Sequence, residues 1–336
     1  MFKRILSGLL MAIIMISTCI FSGCGSFEYV VVLTCAEEER IDFLSEKLRE
    51  KFPEYEVIFQ YVGTGELYSK LSEEKQSITG DIVHDFEITN MEMLLAESPE
   101  IFYDLASYDF SIYVENAMAH TERHTKYAVM AKQANAIIVN KDVLARAGAP
   151  IPKTYNDLLN PVYKDLICMP NPNQSGTGYG FYSGLVAHLG EEEALKYFAE
   201  FDKNVVEYTS SGSAPMKRVN SGEVGIGVCM LWQAVRYVND NPSLEVIIPD
   251  NALPYTLCAM AMLSEREERP EVKAVFDYMY TELNRLAVEA FNAEKLFVNQ
   301  GPCTVANYPD SFKEFNMSFR YDYVYKQELL DKWGRS

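Results

Sequence analysis

From Phe27 onward the chain alternates continuous apolar runs with one-sided helical stripes, and this alternation is the tightest constraint on its fold. Tyr29-Val30-Val31-Val32-Leu33 is apolar at every position, which suits a strand buried on both faces of a sheet. Ile41, Leu44, Leu48 and Phe52 then recur along one helical stripe, with Glu37, Glu38 and Glu39 in its first turn and Lys47, Arg49 and Lys51 near its end. Pro53 stops that helix. Residues 56–62 read as a second strand, Gly63-Thr64-Gly65 as a turn, Leu67 and Leu71 as a short helix, and Asp81-Ile82-Val83 as a third strand. The order β-α-β-α-β opens a parallel α/β sheet.

A second series follows Met130. Strands are expected at residues 136–139, 166–169, 205–206, 226–230, 244–248 and 257–263, separated by helical patterns. One helix starts at Ser175-Gly176-Thr177-Gly178 and ends at Gly190; another opens at Pro270. The expected architecture is α/β with two lobes, each an open, mostly parallel sheet flanked by helices, and a cleft between them. The expected division is residues 24–130 with 252–302 in lobe 1, and 131–251 with 303–336 in lobe 2. No repeat or low-complexity linker divides the chain, so it crosses between lobes more than once.

Residues 1–23 read as an export signal: Lys3 and Arg4 precede an apolar run over residues 5–21. Phe21-Ser22-Gly23-Cys24 resembles a bacterial lipobox, with Phe where Leu is usual, so cleavage before Cys24 and lipidation of Cys24 are expected. The mature protein is then extracytoplasmic, tethered to the membrane by acyl chains. Of 7 cysteines, Cys19 leaves with the signal and Cys24 is lipidated. The scattered Cys35, Cys168, Cys229, Cys258 and Cys303 imply no disulfide framework.

With 30 Lys plus Arg against 48 Asp plus Glu, the formal charge is −18, which excludes nucleic acid as a partner. The 4 His (His84, His120, His124, His188) have no helical metal-ligand spacing, so no metal site is expected. No nucleotide loop, Gly-x-Ser-x-Gly elbow or His-Glu-x-x-His motif occurs. Asp85 and Glu87 read as capping and solvated carboxylates, and His84 as a structural hydrogen bonder.

The strand-end loops carry the chemistry. Gly63-Thr64-Gly65, Ser175-Gly176-Thr177-Gly178 and Ser210-Ser211-Gly212-Ser213 each put Gly beside Ser or Thr ahead of a helix. Gly admits a ligand close to the backbone, the first N–H groups of a helix lack internal partners, and hydroxyls add donors. Such loops bind phosphate, phosphonate, sulfate or carboxylate without a buried Lys.

The chain resembles the type II solute-binding proteins of bacterial ABC importers, the branch with ferric-ion, phosphonate, hexose-phosphate, thiamine and polyamine binders. The resemblance rests on Gly63-Thr64-Gly65-Glu66-Leu67, on the run from Pro152 to Asp165, on Met169-Pro170-Asn171-Pro172-Asn173-Gln174-Ser175-Gly176-Thr177-Gly178-Tyr179 and on Ser221-Gly222-Glu223-Val224-Gly225-Ile226-Gly227. It implies a hinged cleft closing on a small-molecule solute, an ABC permease with separate ATPase subunits, no cofactor, no enzymatic activity and a monomer. By position it implies ligand contacts from Thr34, Thr64, Gly65, Ser175, Gly176, Thr177, Gly212 and Ser213; Glu87, near the expected mouth, and Trp232, against an organic part of the ligand, complete the expected site. Ferric binders usually carry two consecutive tyrosines after the strand that here ends at Met230; this chain has Leu231-Trp232-Gln233. The expected ligand is therefore an organic anion or zwitterion such as a phosphonate or sugar phosphate. The alternatives are ferric ion, thiamine or a polyamine within the same family, and a secreted α/β hydrolase using Ser175 or Ser211 outside it.

Overall fold

The computed structural model describes residues 28–115, 125–309, 311–319 and 321–334. The signal segment, Cys24, His120 and His124 lie outside the described residues. The first stretch runs β1 (Glu28–Thr34), α1 (Glu38–Lys51), β2 (Tyr55–Tyr61), α2 (Thr64–Glu74), β3 (Ile82–Glu87) and α3 (Ile88–Glu97). β1 pairs parallel with both β2 and β3. Val30 and Val32 are fully buried, as the apolar run implies. β2 sits at the sheet edge and alternates partly buried with exposed residues.

β4 (Ala128–Asn140), α4 (Lys141–Arg146), β5 (Ile167–Pro170), α5 (Gly176–Leu189), α6 (Glu191–Phe201) and β6 (Val205–Thr209) follow. Then come α7 (Ala214–Ser221), β7 (Ile226–Met230), α8 (Leu231–Asp240), β8 (Leu244–Ile247), β9 (Ala252–Leu253) and β10 (Tyr255–Met262). The chain ends with α9 (Pro270–Tyr278), α10 (Asn284–Phe291), β11 (Lys313–Glu314) and α11 (Tyr323–Trp333).

The main sheet runs β2-β1-β3-β10-β4-β7-β5-β6, with β8 also paired to β4. Its outer pairs are parallel, whereas β10 is antiparallel to β3 and β4, and β4 is antiparallel to β7 and β8. β4 is the crossing strand. Its residues from Ala128 to Ala134 pair with β10, and Asn135 onward pairs with β7. The fold is thus two-lobed, one lobe on β1–β3 and the other on β5–β8, joined through β4 and β10.

β4 has 13 residues, although the apolar pattern marked only 136–139. Lys132 and Gln133 interrupt that pattern, yet Gln133 is 4% exposed because neighbouring strands cover it. β3 carries a further irregularity. Val83 faces Ala261 and Phe86 faces Ala259, so His84 and Asp85 share a bulge opposite one residue. Asp85 holds φ 53, in the left-handed region that costs a non-glycine residue about 1–3 kcal/mol.

Candidate functional site

A cavity of about 50 Å3 lies between the lobes. At roughly 10–15 Å3 per water-sized group it has room for only a few such groups. Its wall includes Thr64, Glu87, Ser175, Gly176, Thr177, Gly212 and Ser213 from the sequence reading. To these the fold adds Cys35, Glu37, Tyr61, Asp85, Gln133, Gln174, Ser210, Ser211, Met230, Thr256 and Cys258.

The lobes touch across it. Gly65 N donates to the Gln174 carbonyl at 3.4 Å, and Gly176 N donates to Thr64 Oγ1 at 3.4 Å. Gly65 itself lines the adjoining surface groove. Gly212 leaves room for the hydroxyls facing it, since a Cβ there would lie 2.5 Å from Thr177 Oγ1 and 3.1 Å from Ser175 Oγ and would displace them. Ser175 caps α5, its hydroxyl accepting from Gly178 N at 3.4 Å.

Helix starts converge on this cavity. Wall residues Glu37, Glu87, Ser175, Ser213 and Met230 are the N-caps of α1, α3, α5, α7 and α8, and Thr64 is the first residue of α2. Each N-terminus contributes about +0.5 elementary charge, worth about 0.3–1 kcal/mol to a neighbouring anion. No Lys, Arg or His is among the wall residues.

The carboxylates differ in their commitments. Glu87 Oε1 accepts from Thr89 N at 3.0 Å and Thr89 Oγ1 at 2.7 Å, while Oε2 accepts from Lys326 Nζ at 2.7 Å. Asp85 Oδ1 accepts from Gln133 Nε2 at 2.9 Å, and Oδ2 lies 3.7 Å from Arg40. Glu37 Oε2 is buried and has no hydrogen-bond partner. Burial, then the field of Asp85, pushes the Glu37 carboxyl up to about 8, only partly relieved by Arg40. Its neutral form therefore persists near neutral pH.

Asp85 and Glu87 both line this cavity: Glu87 is among the contacts expected from the sequence, whereas Asp85, expected to be solvated, is 4% exposed. Glu87 does cap α3. Thr34 and Trp232 lie elsewhere. Thr34 is fully buried; its hydroxyl bonds His84 Nδ1 at 2.9 Å and accepts from Ala36 N at 3.0 Å. Burial lowers the His84 pKa to about 4, leaving a neutral structural hydrogen bonder. Trp232 is 1% exposed and packs against Phe291 with the Arg40 guanidinium 5.2 Å from its ring centre. Cys168, Cys229 and Cys258 are buried, Cys35 and Cys303 partly so, and all five are free thiols. Among the described residues no group of three His, Cys, Asp or Glu is placed to hold a metal, and no helix is long and apolar enough to cross a membrane.

A two-lobed α/β body whose lobes meet over a small cavity ringed by helix starts defines a class, the solute receptor. The family model for bacterial extracellular solute-binding proteins matches residues 105–299, and the chain belongs to that family. An uncharacterized protein of Haemophilus influenzae is 28% identical over 203 residues, 58% of this chain and 58% of that protein. The phosphoglycerate transport regulatory protein PgtC of Salmonella typhimurium is 21% identical over 198 residues, 56% of this chain and 49% of PgtC. The chain thus spans about half the length of these relatives. Among solved structures, the periplasmic binding protein AfuA from Actinobacillus pleuropneumoniae, with fructose-6-phosphate bound, superposes with TM-score 0.80 at 19% identity, covering 92% of this chain and 98% of AfuA. The periplasmic binding protein P5PA gives TM-score 0.79 at 21% identity over 91% of this chain and 98% of that one. A periplasmic thiamin binding protein gives 0.74 at 12% identity over 92% and 96%. These likenesses establish the type II periplasmic-binding-protein fold.

Proposed function

We propose that this protein is the solute receptor of an ABC importer and captures a small organic anion or zwitterion bearing a phosphoryl, phosphonyl or carboxylate group. It is a monomer held to the membrane through lipidated Cys24, closes on its solute, and delivers it to a permease driven by separate ATPase subunits. The lobes comprise residues 24–130 with 252–302 and 131–251 with 303–336. One observation carries the reading: six helix N-termini meet one cavity whose Ser, Thr and Gly residues supply donors without a wall cation. The anionic end lies against Ser175, Gly176, Thr177, Gly212 and Ser213. Thr64 and Gly65 close over it from the other lobe.

The wall acids favour a zwitterion over a simple anion. Lys326 and Arg40 face Glu87 and Asp85, so Glu37 is the acid left to meet a ligand amine. The same acids support a second reading, a cation such as thiamine or a polyamine. A hydrolase would need a base bonded to Ser175 or Ser211, whereas Ser175 Oγ accepts from Gly178 N and Ser211 Oγ lies 3.1 Å from Ser213 Oγ, and neither partner is a base.

Native mass spectrometry of freshly purified protein, followed by a thermal-shift screen, tests this reading. A phosphate ester, phosphonate or aminophosphonate should raise the melting temperature, and Ser175→Ala should weaken that shift. Stabilisation by thiamine or polyamines alone selects the second reading. Turnover that Ser175→Ala abolishes selects the hydrolase.

A further inference from the structure

The C-terminal helix α11 packs along α3 of the β1–β3 lobe and anchors its side chains in the β5–β8 lobe. Tyr182 OH donates to the Leu329 carbonyl at 3.1 Å, and Lys332 Nζ donates to Glu191 Oε1 at 2.6 Å. The Trp333 ring centre lies 5.0 Å from that of Tyr182 and 5.4 Å from those of Phe198 and Tyr208. From the first turn of the same helix, Lys326 reaches the β1–β3 lobe. Its Nζ is 2.7 Å from Glu87 Oε2 at the end of β3 and 2.7 Å from Asn90 Oδ1 on α3. It also lies 4.4 Å from the centre of the Tyr179 ring on α5. The Lys326 and Glu87 side chains are each 5% exposed.

A charge pair so thoroughly removed from water tolerates separation badly, because each partner left alone is an uncompensated buried ion. The lobes of a hinged receptor exchange between open and closed forms, and any contact made only in one form biases that exchange. Glu87 joins the two facts, since it is both a wall residue of the cavity and the acceptor of a cation on a helix anchored in the opposite lobe.

We propose that Lys326 is the latch of the cleft, a positioning residue that holds the C-terminal helix anchored in one lobe to Glu87 and Asn90 of the other and so stabilises the closed form. It rests on the closing motion in the reading above and not on the ligand's identity. Without it, affinity for whatever solute binds falls by the drop in closed population, about tenfold for a tenfold shift, regardless of ligand charge.

The test is small-angle X-ray scattering of the full unliganded chain as wild type, Lys326→Met, Lys326→Arg and Glu87→Gln, with far-UV circular dichroism confirming that each folds. The expected result is a larger radius of gyration for Lys326→Met, return to the wild-type curve for Lys326→Arg, and a smaller expansion for Glu87→Gln. Should Lys326→Met fail to fold, Glu87→Gln decides by itself. A melting temperature lowered with the scattering curve unchanged overturns the latch, because it assigns Lys326 a purely structural role. Scattering needs no ligand, so this outcome is separable from failure of the solute screen.

Discussion

Glu37→Gln replaces an acid with a neutral group of nearly the same shape at the cavity wall. In the folded chain burial and Asp85 raise the Glu37 carboxyl from 4.5 to about 8. The raised value means that the fold favours the protonated form. The resulting stability is fully present below pH 4.5 and is lost as pH climbs from 4.5 through about 8. At about 1.4 kcal/mol per tenfold change in proton affinity, the ceiling is about 5 kcal/mol. Partial solvent access and the field shared with Asp85 bring the expected figure to roughly 2–4 kcal/mol. Gln carries no such penalty, so the variant should gain on the wild type across that window. With an m-value of about 3 kcal/mol per M, the urea midpoints of the two proteins should separate by about 1 M between pH 5 and pH 9. Parallel movement of the midpoints over that range would refute the burial argument. A ligand ammonium replaces the proton in the proposed complex, so a zwitterion should also flatten the wild-type pH dependence.

Other substitutions probe separate parts of the molecule. Gly178→Ala places a Cβ 2.4 Å from the Pro170 carbonyl oxygen and 2.8 Å from the Asn171 carbonyl carbon, where only backbone can yield. A loss of about 1–3 kcal/mol and a melting point several degrees lower are expected, and an unchanged melting curve would contradict the packing of α5 against β5. Arg40→Met strands the buried Asp85 carboxylate and breaks the 2.9 Å bond to Asn292; chemical denaturation should show a loss of about 3–5 kcal/mol. His84 is held neutral by burial, with its pKa lowered from 6.5 to about 4, so wild-type stability should fall as pH drops across that interval. His84→Gln should show a smaller fall over the same range; an equal one would count against the assignment.

The parts of the fold legible from sequence were those with local causes. Val30 to Leu33 are buried because β1 lies inside the sheet, and the Gly-Ser-Thr loops stand at strand ends because helices begin there. Residues whose role arises from long-range contacts were not legible. Gln133 and Thr256 face the cavity because β4 and β10 cross beside it, and a polar residue within a strand gives no local sign of that. Trp232 looked like a ligand platform at the start of α8, but Arg40 and Phe291 claim its ring from elements far away in the chain. Thr34 has the residue type of a ligand donor and spends its hydroxyl on His84 and Ala36. Glu37 carried a visible hint, an acid at a strand end opening a helix, yet Glu38 and Glu39 beside it look the same in sequence. Only burial tells them apart.

β4 and β10 run antiparallel side by side, with Tyr255 opposite Ala134 and Thr256 opposite Gln133, and Asn135 N bonds the Pro254 carbonyl at 2.9 Å. Slippage along the strand axis would sacrifice that ladder, whereas torsion about it leaves every rung in place. Of the two distortions, a twist about the ribbon is the one this pair of strands opposes least.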